Sequence, residues 1–346
     1  MGSEMCIRDR AYERLGMQSQ VPFLHLLDGM ALFAKDAWVD ALVEWQASIT
    51  VAEQTEIGWQ LDALGASALA HARLGELEQA DELLSRLGAA RERGASEFRG
   101  FWVPWVRGLG AEARGDLEAG IQPLFEFWQL RVQIGLRYEA YAVAGDLARM
   151  LAAADDRERG ALVADAVADI AAGVPELVSM QARAMRCRAL VSGDPDDLVA
   201  AAEVAAAAVR PYESLLGAEA AATSLAEAGR NEEALEWGRR ALDAAEQLGA
   251  VRDGARIRSA LRDAGLRLGA RAPHPRARVG WEALTPSELR IAALVSEGLS
   301  NPQIAERLVI SRRTVSTHVS NILRKLSLSS RVQLAAEAST RRAGPA

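Results

Sequence analysis

The polar residues of one short segment, 312–324, have the types and spacing that suit hydrogen bonding to nucleic acid. Two apolar stripes of helical spacing lie between Ser300 and Leu326, and a turn over 309–311 separates them. In the second stripe the apolar residues predict one buried helix face. The remaining positions form a face of small polar groups flanked by arginines: Arg312, Arg313, Ser316, Thr317, Ser320, Asn321 and Arg324. Hydroxyl and amide groups of this size can approach base edges, and guanidinium groups can bind phosphates. The face has no carboxylate and no nucleophile–base pair, so it does not predict a catalytic centre.

Four helices are predicted to position this face. The first begins at Thr285-Pro286, with Glu288 closing a capping box, and ends at Gly298. Ser300 or Asn301 caps the second helix, Ser311 caps the third, and Ser329 or Ser330 caps the fourth. Inward residues are predicted from the spacing: Leu284, Ile291, Ala292, Val295, Leu299, Ile304, Ala305, Leu308, Val315, Val319, Ile322 and Leu326. Two helices joined by so short a turn and packed on a first helix form a helix-turn-helix, whose second helix enters the major groove of DNA.

Residues 284–336 resemble the LuxR-type DNA-binding domain. The matching features are Thr285-Pro286 with Glu288, Gly298-Leu299-Ser300-Asn301, Ile304-Ala305, Ser311, Thr314-Val315, His318, 321–326 and Arg331. Two positions depart from the family pattern. Ser316 replaces a frequent lysine, so one phosphate or base contact is missing. Ser327 replaces the usual glycine after the recognition helix, so a left-handed corner there is strained.

The resemblance implies which groups meet DNA. Thr314, Ser316, Thr317 and Ser320 would face the bases, and Lys325 completes the DNA-binding set with the polar face described above. The fourth helix would pair two copies into a homodimer that reads a pseudo-palindromic site in double-stranded DNA. The resemblance is also compatible with RNA polymerase as a further partner. We interpret His318 as a core-edge residue rather than a base reader, because it lies one turn from Val315 and Ile322.

The rest of the chain is periodic and predicts an all-α fold. Turn signals recur near residues 35, 75, 115, 155, 193 and 229, at spacings of 36–40 residues. Alanine is abundant and aromatic residues are scarce, which favours closely packed helices over sheets. A period of this length made of helix–turn–helix units is typical of a helical-repeat array, and it resembles tetratricopeptide-type repeats. The alternative is an ordinary irregular helical bundle.

Charge and composition limit the class of protein. The chain of 346 residues has a net charge of −7, but from Arg271 onwards twelve Arg and Lys face five Asp and Glu, a net of +7, which leaves −14 on residues 1–270. A basic module on an acidic body predicts a polyanionic partner for that module.

No secretory signal or membrane span is visible, so we expect a cytoplasmic protein. Cys6 and Cys187 give no disulfide framework, with Cys187 predicted as a small buried hydrophobe, and the four histidines have no metal-ligand spacing.

Four segments follow from these patterns. Residues 1–10 are predicted to be a leader, because they fit poorly with the rest of the chain, and residues 11–268 are predicted to form the TPR-like repeats. Residues 269–280 are predicted to be a linker with two prolines, and residues 281–342 are predicted to form the DNA-binding domain. The body resembles the C-terminal half of large ATP-binding LuxR-type regulators. A Walker A loop is absent, because Lys35 precedes Asp36 and Lys325 precedes Leu326. We therefore expect no enzyme activity and no cofactor. We expect a piece of a longer regulator, and the alternative is a natural short one.

The repeats are expected to control the DNA-binding domain through a small-molecule or protein effector. Aromatic residues cluster between Phe98 and Trp128, and solenoids bind partners on a concave face that suits aromatic anchors. Trp102, Trp105 and Trp128 are the candidate effector-binding residues. The alternative is packing between consecutive helix pairs. At the level of the whole chain, the leading prediction is a DNA-binding transcriptional regulator, and the alternative is a helical-repeat interaction scaffold that reads no DNA sequence.

Overall fold

A computed structural model describes residues 18–55, 60–92, 102–208, 210–267, 280–284, 286–308, 310 and 312–343. These residues form seventeen α-helices and two short 3-10 helices with no β-strand among them, so the predicted all-α class is confirmed. The chain divides into two compact units, residues 1–100 with 273–346, and residues 101–272. The predicted leader and residues 269–279 of the predicted linker lie outside the described residues. The predicted domain limits therefore remain predictions.

The first unit begins with four helices. They are α1 (Val21–Phe33), α2 (Trp38–Thr55), α3 (Gln60–Leu74) and α4 (Leu77–Glu92). Trp45 of α2 is fully buried, and its Nε1 donates a hydrogen bond to the carbonyl oxygen of Leu26 at 3.2 Å. A Cβ atom on Gly29 would lie 2.3 Å from that Nε1, so only glycine lets α1 approach the indole this closely.

The second unit is an array of nine helices within its described residues. They are α5 (Trp102–Ala113), α6 (Leu117–Gln133), α7 (Arg137–Ala153), α8 (Arg157–Ala172), α9 (Val178–Ser192), α10 (Pro195–Ala207), α11 (Pro211–Glu227), α12 (Asn231–Leu248) and α13 (Val251–Asp263). Gly108 and Gly120 face each other between α5 and α6, where a Cβ on Gly120 would lie 2.8 Å from the Gly108 carbonyl oxygen. Small residues therefore set the separation of the helices in this pair.

The turns inside the helix pairs share one backbone feature. Each of the six predicted turns joins two consecutive helices and holds a residue with positive φ: Asp36 (60°), Gly75 (80°), Gly115 (86°), Asp155 (52°), Gly193 (71°) and Gly229 (74°). In three of the pairs an aspartate then caps the second helix, with Asp116, Asp156 and Asp194 accepting backbone N–H groups at 2.8–3.1 Å. The described residues thus form a helical-repeat array, and its likeness to tetratricopeptide repeats stays a resemblance.

The first unit ends with four more helices, which hold the segment that opened the sequence analysis. They are α14 (Pro286–Ser296), α15 (Asn301–Leu308), α16 (Arg312–Leu326) and α17 (Arg331–Ala343), preceded by a 3-10 helix at Trp281–Ala283. Gly298, with φ of 81°, follows the end of α14 as predicted. Helix α15 ends at Leu308 and α16 begins at Arg312, a separation typical of a helix-turn-helix.

Candidate nucleic-acid interface

A small apolar core fixes α16 against its neighbours. The buried side chains come from all four helices: Ile291, Ala292, Val295, Ile304, Ala305, Leu308, Val315, Ile322 and Leu334. Most of the predicted inward positions are confirmed by this burial. Leu299 and Leu326, which were also predicted to point inward, are only half-buried, because each lies at or beyond the end of its helix.

Arg331 ties the fourth helix to the turn before α15. Its Nη1 donates to Asn301 Oδ1 at 2.7 Å, and its Nη2 donates to the backbone carbonyl of Leu299. On the other side of the domain the backbone N–H of Gly280 donates to the carbonyl of Lys325 at 2.8 Å. Bidentate use of a guanidinium fixes orientation as well as distance. These bonds hold α15 and α16 in one relative position.

Side-chain caps define where two of these helices begin. The backbone N–H and the hydroxyl of Ser300 both donate to Gln303 Oε1 at 2.8 Å, so Ser300 is the residue that starts α15. Ser330 Oγ accepts from the backbone N–H of Gln333 at 3.3 Å and so caps α17. Both were among the predicted caps. The other two predicted caps, Thr285 and Ser311, lie outside the described residues.

Ser327 holds the left-handed corner that the sequence predicts. Its φ is 57°, and the backbone N–H groups of Ser327 and Leu328 donate to the carbonyls of Arg324 and Leu323 at 3.2 and 2.8 Å. These two bonds form the Schellman motif that commonly ends a helix at glycine. A residue with a Cβ atom adopts this conformation at a cost in free energy.

One face of α16 is open to solvent. Arg312, Ser316 and Ser320 are exposed. They recur every four residues, so they form one row along the helix. Arg313 and Thr317 belong to α16, but their side chains lie outside the described residues. A row of two hydroxyls with a guanidinium at its start can donate and accept hydrogen bonds along a groove.

A second row on α16 is polar but buried. Thr314, His318 and Asn321 are exposed by only 3%, 4% and 1%. The burial of His318 agrees with its predicted place at the core edge. Asn321 was predicted on the outward face, and the structure instead buries its side chain. Since Asn321 directly precedes the core residue Ile322, its side chain turns to the packed side of the helix.

The end of α16 is partly neutralised by a carboxylate. Lys325 Nζ lies 2.7 Å from Glu288 Oε2, and Glu288 is fully buried. The predicted DNA-binding lysine therefore has an ion-pair partner inside the domain. Arg324 is half-buried and its Nη2 lies 3.4 Å from Asn321 Oδ1. Neither cation stands free in the way that Arg312 does.

His318 is a buried imidazole, and neither of its ring nitrogens has a hydrogen-bond partner among the described residues. Burial lowers its pKa, because it disfavours the charged imidazolium. The negative charges of Glu288 and Glu76 oppose this shift, and the positive charge of Lys325 adds to it. The imidazole is therefore neutral when the domain is folded at neutral pH.

Two carboxylates from the N-terminal helices contact the helix-turn-helix within the first unit. The Thr314 hydroxyl donates to Glu76 Oε1, and Arg290 of α14 pairs with Asp40 of α2 at 3.3 Å. Glu76 is buried and also lies 2.7 Å from His71 Nδ1. Helix α2 contacts both α14 and α15. The sequence carried no signal for these contacts, since Glu76 follows a glycine turn and looks like an ordinary solvated residue.

The candidate effector residues are buried inside the second unit. Trp102, Trp105 and Trp128 are exposed by 4–5%, and Trp105 Nε1 donates to Asp146 Oδ2 at 2.9 Å. This placement is the one expected for packing between helix pairs, the alternative raised from the sequence. A role of these residues in binding an effector stays a prediction.

Two other kinds of site are missing from the described part of the chain. It contains no group of His, Cys, Asp and Glu that could hold a metal ion, and no helix that is long and apolar enough to cross a membrane. Cys187 is fully buried, as predicted, and burial raises the pKa of its thiol. A buried thiol with a raised pKa is a poor nucleophile.

Comparison with known proteins identifies the C-terminal helices. Residues 282–338 match the model of the luxR family of bacterial regulatory proteins. A putative HTH-type transcriptional regulator of Mycobacterium tuberculosis, Rv0890c, is 56% identical over 62 residues, which are 18% of this chain and 7% of the relative. The transcriptional regulatory protein LiaR of Bacillus subtilis is 50% identical over 54 residues, 16% of this chain and 26% of LiaR. The response regulator protein VraR of Staphylococcus aureus is 47% identical over 53 residues, 15% of this chain and 25% of VraR.

The matched segment coincides with α14–α17 and not with the helical repeats. It spans at most about a quarter of each of these relatives. The family match, the short separation of α15 from α16 and the exposed row on α16 all concern the same four helices. They show that this chain carries a helix-turn-helix domain of the LuxR family of bacterial transcriptional regulators.

Proposed function

We propose that this protein regulates transcription by placing α16 in the major groove of promoter DNA. The exposed row of Arg312, Ser316 and Ser320 on a helix held in place by the domain core supports this most directly. LuxR-family helix-turn-helix domains bind double-stranded DNA, and the net charge of +7 from Arg271 onwards favours association with phosphates. We also propose that the protein acts in the cytoplasm.

Selection of duplexes from a random library with the full chain tests the DNA proposal. We expect enrichment of a sequence made of two related half-sites, with centres about 10 base pairs or a multiple apart. Changing Ser320 to Ala should alter the enriched sequence, because a base-reading hydroxyl is lost. A library that stays random after repeated rounds would contradict the proposal and favour the interaction-scaffold alternative.

We propose that two copies bind together through α17. The support is an exposed apolar position on that helix: Val332 is exposed by 77%, and Ala336 one turn later is also exposed. These side chains give α17 a small apolar surface that a second α17 could cover. A symmetric pair would match the two-fold symmetry of a pseudo-palindromic site.

We propose that the N-terminal helices hold the DNA-reading helix in check. The family resemblance assigns Thr314 to DNA, but its hydroxyl donates a hydrogen bond to the Glu76 carboxylate. The Asp40–Arg290 pair adds a second contact from the same helices to α14. A carboxylate next to a reading helix also repels phosphate. Release of these contacts by an effector or a protein partner, RNA polymerase included, would then free α16.

We further propose that the chain works as the C-terminal part of a larger ATP-binding regulator. The support is the resemblance of the repeats and the size of the mycobacterial relative, of which the matched segment is 7%. Reading the source DNA upstream of the codon for Ala11 tests this. An in-frame Walker A motif would agree with it, and a stop codon close upstream would contradict it.

A further inference from the structure

The second unit encloses a cavity that the DNA-binding function does not use. Its volume is about 290 Å³. Its wall comes mainly from the first helix of each pair, α5, α7, α9 and α11, together with α13. The apolar part of the wall includes Ala152, Cys187, Leu190, Val191, Leu216 and Ala220. At roughly 30 Å³ of liquid per water molecule, the space matches about ten waters, which is the size of a small organic molecule.

The polar part of the wall includes two ion pairs. Arg149 binds Glu112 through both Nη atoms, and Arg256 binds Glu219 at 2.7 and 2.6 Å. Although burial raises the pKa of Glu112, the ion pair with Arg149 lowers it to about 2, so the pair stays ionised at neutral pH. Both carboxylates are already held by two guanidinium bonds. A cationic ligand would therefore have to break a buried ion pair to reach them.

Anionic ligands meet the opposite obstacle. The lining contains five carboxylates, on Glu112, Asp155, Asp156, Glu219 and Glu227, and three guanidinium groups, on Arg149, Arg157 and Arg256, a net of −2. Asp155 and Glu227 are exposed and so lie where the cavity meets solvent. A negative entrance with no unpaired cation inside opposes the entry of an anion.

We propose that this cavity binds a neutral, mainly apolar small molecule. The apolar wall would take the body of the molecule, and the paired charges reject ionic analogues. This inference deepens the effector control proposed above and rests on it for the regulatory consequence, while the binding itself can be measured independently.

Binding of three probes of equal chain length to the full protein tests the proposal. We would titrate octan-2-one, octanoate and octylammonium and follow binding by calorimetry. The ketone should bind at least about tenfold more tightly than either ion, because only it enters the cavity without an uncompensated charge. Equal affinities for the three probes would overturn the assigned ligand class.

A variant pair locates the binding. Ala220→Phe, in the wall of the cavity, should abolish ketone binding, whereas Ala200→Phe on the exposed side of α10 should leave it unchanged. Undiminished binding in the Ala220 variant would overturn the site.

The effect of the bound ligand on DNA binding is measured separately. Affinity for a selected duplex should change when octan-2-one saturates the cavity. Ketone binding with an unchanged DNA affinity would keep the site but refute control by this ligand class. Failure to select any duplex would refute the DNA function and leave the binding result untouched.

Discussion

The imidazole of His318 lies on the DNA-reading helix, and neither ring nitrogen has a hydrogen-bond partner among the described residues. Its environment comes from three places: Glu288 on α14, Lys325 on α16 itself and Glu76 after α3. Burial lowers its folded pKa below the unfolded value of 6.5. As pH falls through 6.5 the unfolded chain binds a proton that the folded chain does not, so the stabilising contribution is present above that pH and is lost below it.

We therefore expect His318→Leu to reduce the acid sensitivity of the first unit. Urea unfolding between pH 7 and pH 5 should show a smaller drop in midpoint for the variant than for the parent. His274 lies in the predicted linker, where the sequence predicts a solvated imidazole, so His274→Gln is the control and should leave the drop unchanged. An equal drop in parent and His318→Leu would show that the imidazole does not cause it.

Ser327 offers a test of backbone strain at the end of the same helix. Ser327→Gly should raise the free energy of unfolding by about 0.5–1 kcal/mol, since glycine adopts positive φ without the Cβ penalty but loses more entropy on folding. Ser339→Gly, an exposed change inside α17, should lower it by about 0.5 kcal/mol. Urea denaturation measures both, and a destabilising Ser327→Gly would contradict the strain.

At the scale of elements, the proposed function makes Glu76 compete with DNA for the Thr314 hydroxyl of α16. Glu76→Gln removes the negative charge of the carboxylate that accepts the Thr314 hydrogen bond, and it keeps the side-chain volume. We expect about a tenfold gain in affinity for a selected duplex, because a charge-assisted hydrogen bond no longer opposes release. Fluorescence anisotropy with labelled duplex measures the gain.

Glu78→Gln is the control for the Glu76 variant. It removes the same charge two residues away, at an exposed position of α4. An equal gain in both variants would mean that general charge, and not the contact to Thr314, limits DNA binding. Because Glu76 also pairs with His71, the unfolding midpoint of each variant should be measured beside its affinity.

The last helix carries the prediction for assembly. Val332→Glu should weaken binding to a two-half-site duplex by about tenfold, since a carboxylate would be buried between two copies of α17. Binding to a single half-site should be unaffected. Sedimentation on each duplex gives the number of bound copies. Two copies of the variant on the full site at unchanged affinity would rule out α17 as the dimer contact.

For the whole molecule, charge separation predicts how DNA binding depends on salt. The logarithm of affinity should fall linearly with the logarithm of salt concentration, by about 0.9 for each neutralised phosphate. Arg312→Ala should make the slope shallower by about 0.9 and weaken all duplexes about equally. Arg341→Ala removes the same charge from α17, where the guanidinium lies 5.2 Å from the Trp281 ring, and should leave the slope unchanged. A shallower slope in both variants would show that Arg312 makes no specific phosphate contact.

The parts of this architecture that depend on neighbouring residues were predictable from the sequence. Glycine turns, serine caps and the helical spacing of Val315 and Ile322 act within a few residues, so they identified the helices and the corner at Ser327. Contacts between distant residues were not predictable. The burial of Asn321 and the partners of Thr314 and Arg290 depend on which side chains another element brings close. The cavity wall likewise collects residues from four helix pairs and from α13.

The ion pairs of that wall also bear on how this array can change over evolution. Arg256 of α13 lies 2.6 Å from Glu219 of α11, and 3.8 Å from Glu112 of α5 at the other end of the second unit. Repeat arrays ordinarily gain and lose units because each unit contacts only its neighbours. Here a duplicated or deleted helix pair between α5 and α13 would carry Arg256 away from Glu112. This ion pair therefore ties the ends of the second unit to a fixed number of helix pairs between them.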